Sequence, residues 1–84
     1  MMWFDYKATS GIEIHYTDKD GNTQSYKANF AQPADVVKTV AMIANNNNIK
    51  EVTCVGLAYD LAPAIQQQLM STYNKSDVTF VEGE

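Results

Sequence analysis

The sequence predicts a small mixed α/β domain of element order βββαβαβ, and three observations carry that prediction. The first thirty residues alternate apolar and polar side chains with period two. Two apolar stripes of helical spacing follow, and β-rich runs separate and close them. The chain has 84 residues without a visible repeat or linker, so 1–84 is read as one domain. A domain of this size buries only roughly 60–65% of the surface its unfolded chain exposes. Self-association would therefore add useful burial.

The opening strand sets Phe4, Tyr6 and Ala8 on one face against Trp3, Asp5 and Lys7 on the other. In the second, Ile12, Ile14 and Tyr16 alternate with Glu13, His15 and Thr17; in the third, Tyr26, Ala28 and Phe30 alternate with Ser25, Lys27 and Asn29. Thr9-Ser10-Gly11 and Lys19-Asp20-Gly21 both suit three-residue hairpin loops with glycine in the left-handed position. Those loops pair Ala8 with Ile12 and Asp18 with Asn22, which sets Tyr6, Ile14 and Tyr26 in one apolar row. A slip by one residue would oppose apolar and polar side chains, which a half-buried sheet penalises. The expected result is an antiparallel three-stranded meander.

Pro33 marks a first helical turn, where its missing N–H costs nothing. Val36, Val37, Val40, Ala41, Ile43 and Ala44 form that helix's apolar stripe, and Asp35, Lys38 and Thr39 face water. Asn45 to Asn48 read as its C-terminus and loop, because asparagine tolerates left-handed angles. Residues 49–57 are apolar in both phases, as an interior strand requires. Asp60 is placed as the cap of a second helix with Pro63 in its first turn and Leu61, Ile65, Leu69 and Tyr73 on its buried side. Residues 77–81 form the last strand.

Right-handed crossovers put both helices on one face of a five-stranded mixed sheet. The apolar density of residues 1–6 favours an interior first strand, hence order 3-2-1-4-5, with 1-2-3-4-5 as the simpler alternative. The favoured order resembles the element order of the ribonuclease H-like fold. The resemblance stops there, because the fourth strand ends Cys54-Val55-Gly56 without a carboxylate for that superfamily's acidic metal cluster.

Composition narrows the function classes. Six lysines stand against ten carboxylates, for a net charge of −4, and there is no arginine. Nucleic-acid affinity comes from phosphate neutralisation, and guanine or phosphate is commonly read by the guanidinium fork, so no nucleic-acid partner is expected. The carboxylates are scattered, which argues against an acidic mimic of DNA. Cys54 is alone, leaving neither an intrachain disulfide nor a thiolate cluster for zinc, and no cofactor or metal is expected. With Asp5 and Lys7 near the start and no long apolar run, neither a signal peptide nor a membrane span is expected, and the cytoplasm is the default address. Lysine without arginine and seven asparagines hint at an AT-rich bacterial or viral genome.

Three constellations are candidates. On the open face the expected ladder aligns Asp5, His15 and Ser25, an acid, an imidazole and a hydroxyl in the order of a hydrolytic triad. Parallel side chains on a flat, solvated surface lack an oxyanion hole and a desolvated pocket, so catalysis is not expected. Trp3, beside Thr17 and Thr23 in that ladder, points away from the core together with Val55 and Val81. An indole placed so is enriched at interface hot spots, and Tyr59 is a second candidate anchor. The third candidate is a crevice at the carboxyl ends of the parallel strands, where Thr9 and Ser10 would face Tyr59 and Asp60.

The leading expectation is a non-enzymatic protein-binding module, a small accessory or inhibitor-type protein of phage or mobile-element character. Trp3, His15, Val55 and Tyr59 would form its contact surface, and its partner is another protein or a second copy in a homodimer. The alternative is a small-ligand-binding domain using Thr9, Ser10, Tyr59 and Asp60. Ligand-dependent thermal stabilisation that Tyr59→Ala removes would mark that alternative.

Overall fold

A computed structural model describes residues 1–7, 11–29 and 32–83. The five strands are β1 (Met2–Lys7), β2 (Gly11–Thr17), β3 (Thr23–Ala28), β4 (Glu51–Val55) and β5 (Thr79–Gly83). Two α-helices, α1 (Pro33–Asn46) and α2 (Ala62–Tyr73), join them, and a 3₁₀ turn, Gly56–Leu61, leads into α2. The sheet order is β3-β2-β1-β4-β5. β1 pairs antiparallel with β2 and parallel with β4, so the sheet is mixed and the apolar first strand lies at its centre.

Alternation along β1 assigns the two faces. Met2, Phe4 and Tyr6 are buried beneath the helices with Ile12 and Ile14 of β2 and Val52 and Cys54 of β4. Val36, Val40 and Ala44 of α1 and Ile65 and Leu69 of α2 complete that core. The stripe expected of α1 is the buried one, with Val37 half-buried at its margin. Pro33 sits in the first turn of α1, Asn47 follows its last residue, and Asn48 takes the left-handed angles expected of the asparagine run, at φ 53°. The Asn47 amide donates to the Ile43 carbonyl, and its Oδ1 accepts from the Lys19 N–H at 3.2 Å. That contact ties the β2–β3 turn to the helix end.

Several boundaries differ from those the sequence suggested. β4 is shorter than the 49–57 run, because Gly56 at φ 58° turns the chain into the 3₁₀ segment. Asp60 lies inside that segment and caps nothing: Leu61 is the N-cap residue of α2, with no side-chain cap bond. The last strand runs two residues later than 77–81. Before it, Asp77 pairs with Lys50 and with Lys75 at 2.9 Å, and these two ammonium groups hold its carboxyl down at about 2.

The meander forms, with one register correction. β2 and β3 pair as expected, Ile14 opposite Tyr26 and His15 opposite Ser25. The Asp18 carboxylate sets this turn by accepting from the Asp20 and Asn22 N–H groups, each at 2.9 Å, and these bonds help lower its pKa. β1 and β2 are displaced by two residues from the expected ladder. Tyr6 faces Ile12, Phe4 faces Ile14, and Trp3 faces His15. Gly11 is not a free loop residue but the first residue of β2, opposite Lys7. It keeps a left-handed φ of 87°, and an added Cβ would lie 1.9 Å from the Ala28 carbonyl oxygen. Only glycine fits so close to β3. Ala8 and Phe30 lie outside the described residues.

Candidate functional site

The helices leave one face of the sheet uncovered, and alternation fixes what it shows. Its central row runs Val81, Thr53, Trp3, His15, Ser25 across all five strands. A second row runs Gly83, Val55, Asp5, Glu13, Lys27. Apolar side chains therefore collect over β1, β4 and β5, while polar and charged ones collect over β2 and β3.

Trp3 is the centre of this face, 37% exposed. Its indole stacks on the His15 imidazole, with ring centroids 4.4 Å apart and planes 13° from parallel. On the same strand Glu13 meets His15: Nε2 of the ring lies 2.6 Å from Oε2 of the carboxylate. That hydrogen bond is the main cause of a Glu13 pKa below the usual value; desolvation opposes it, and the charges of Lys27, His15 and Lys7 add to it. The imidazole is thus held on one side by a carboxylate and covered on a face by an indole. Beside Trp3, a shallow trough of about 410 Å³ runs over Thr53, Val55 and Gly83, bounded by Met1 and Asp5.

The two-residue register change rearranges the candidates. Asp5 stands opposite Glu13, not His15, so the acid–imidazole–hydroxyl row does not form; Ser25 alone keeps its place beside His15. Trp3 is not beside Thr17 and Thr23 but beside His15 and Thr53. The structure brings Trp3, His15 and Val55 onto one surface and leaves Tyr59 off it. Tyr59 and Asp60 instead line a separate concavity of about 420 Å³ with Pro63, Gln66 and Phe80, on the helix side of β5. Thr9 and Ser10 lie outside the described residues.

The Trp3–His15 stack itself was not expected from the sequence. The only signal for it was the identical face parity of residues 3 and 15, which many pairs share. Among the described residues, no group of three His, Cys, Asp or Glu side chains is close enough to hold a metal ion. No described helix is long and apolar enough to cross a membrane. Cys54 is buried at mid-strand, and burial pushes its thiol up to about 11, which keeps it protonated at neutral pH. Compared with known proteins, the chain matches no family model, no curated protein and no solved structure.

Proposed function

We propose that this chain is a protein-binding module whose contact surface is the helix-free face of its sheet. The observation that carries the reading is the Trp3–His15 stack. A large aromatic ring stands out at the centre of this face, fixed in orientation by a second ring, with Val55 lining the trough beside it. Rigid aromatic side chains cost little ordering entropy when a partner covers them, which is why tryptophan dominates interface hot spots. The polar half supplies a rim: His15, Glu13, Ser25 and Lys27 offer donors and acceptors around an apolar centre. The lone, inert Cys54 suits a reducing compartment, so we assign the module to the cytoplasm.

The test compares wild type with Trp3→Ser. Partners captured by immobilised wild type are identified, and the affinity of each is measured for both proteins. Loss of a central tryptophan should weaken binding about 30-fold or more, while circular dichroism and urea unfolding stay near wild type. Equal affinity for the two proteins would remove this face from the interface.

A further inference from the structure

We infer that β3 is a self-pairing edge through which two copies of this chain join their sheets, strand against antiparallel strand. The inference does not depend on the open face being a partner site. β3 ends the sheet, and Thr23 to Lys27 are all exposed. Tyr26 points to the helix side of the sheet, yet 45% of it is exposed, so the helical layer stops short of this edge.

The backbone of β3 is half unused. Asp18 donates its N–H to the Asn22 carbonyl at 2.8 Å, which makes this a hydrogen-bonded pair of the β2–β3 ladder. Thr17 instead gives its N–H to the Met1 carbonyl, on the β1 side. Antiparallel pairs alternate, so the residues bonded to β2 are Gln24, Tyr26 and Ala28. Thr23, Ser25 and Lys27 therefore turn their N–H and C=O groups away from the sheet. These groups can be satisfied by water or by another strand. Natural edges usually discourage a second strand with proline, a bulge, several charges or a covering element. β3 pairs with β2 without a break, has no proline and has one charged residue, Lys27.

The edge is self-complementary: a second copy can pair all three outward-facing residues in one register without setting like charges opposite each other. A two-fold axis through Ser25, normal to the sheet, sets Ser25 against its symmetry mate and Thr23 against Lys27 of the other copy. All three outward-facing residues then bond reciprocally, giving about six backbone hydrogen bonds. An axis through Lys27 would oppose two ammonium groups, and one through Thr23 would leave most of the strand unpaired. In the Ser25 register, Tyr26 faces Gln24 of the other copy and lies diagonal to the second Tyr26, which covers the exposed ring. The central open-face row, Trp3–His15–Ser25, continues across the axis into its own copy. The interface is isologous and closed, so it gives a dimer and not a filament.

Sedimentation of the full chain over a concentration series tests this, with Ser25→Pro, Thr23→Lys and the double variant Thr23→Lys, Lys27→Glu beside wild type. Wild type should be a dimer in equilibrium with monomer. Ser25→Pro removes an outward N–H without touching the bonds to β2, so it should be a folded monomer. Thr23→Lys places like charges opposite each other twice, which should raise the dimer dissociation constant roughly tenfold. Adding Lys27→Glu should restore dimerisation, a rescue that a merely unfolded strand would not show. The proposal is overturned by a wild type monomeric throughout, by a dimer indifferent to Thr23→Lys, or by no rescue. A dimer lost in Trp3→Ser but kept in Thr23→Lys would also overturn it, and would place self-association on the open face.

Discussion

β1 presents two surfaces built from the same six residues. Met2, Phe4 and Tyr6 face the helices and are buried; Trp3, Asp5 and Lys7 face outward. On the inner side Met2, Phe4 and Tyr6 join one core cluster with Ile12, Ile14 and Val52, and Cys54 is silenced by burial. On the outer side an indole, an imidazole and a carboxylate are arranged by mutual contact. The inner face shows how period-two alternation turns a strand into half a core. The outer face shows that the same strand leaves an aromatic side chain where the core makes no use of it. Stability should therefore reside on one face and recognition on the other.

The largest expected effect is on the inner face. Phe4→Ala empties the centre of the core and should cost about 3–5 kcal/mol in urea unfolding. Trp3→Ser, one residue away, should cost under about 1 kcal/mol. Comparable losses would mean that the indole is structural and that the two faces do not divide as described.

A smaller effect concerns Cys54. A buried thiol pushed up to about 11 should resist a thiol reagent at pH 8 and react only as the domain opens. Its labelling rate should rise with urea in step with unfolding. Fast labelling without urea would show that the inner face opens locally.

The smallest effect sharpens the outer face. The His15 hydrogen bond holds the Glu13 carboxyl below its ordinary value near 4.5. Such a group stabilises the fold above its unfolded pKa, and the contribution fades as pH falls through the lowered folded value. His15→Phe keeps a ring against Trp3 but removes the ring nitrogen. Glu13 should then titrate closer to 4.5 by carboxyl-detected NMR, and the acid-side loss of stability it causes should shrink. An unchanged Glu13 would mean that Lys27 and Lys7 hold it down, and not His15.

The sequence by itself determined the order of the main elements and their faces; it favoured 3-2-1-4-5 but left 1-2-3-4-5 open, and the tertiary structure decided the strand order. The apolar density of residues 1–6 favoured an interior strand, and the Val36–Val40–Ala44 stripe called for a helix packed on the sheet. It also determined the β2–β3 register, since Asp18 and Gly21 leave that turn little choice. The β1–β2 register was decided by tertiary structure. A shift of two residues keeps every side chain on its own face, so hydrophobic patterning cannot detect it. In the register found, Phe4 pairs with Ile14 and Tyr6 with Ile12. From that shift came the parting of Asp5 from His15 and the meeting of His15 with Trp3. Tyr59 likewise left the open face because the chain coils at Gly56 toward Phe80. Alternation fixes which side of a sheet a residue joins, but neighbours along the strand come from close contacts between specific atoms, which no periodic pattern encodes.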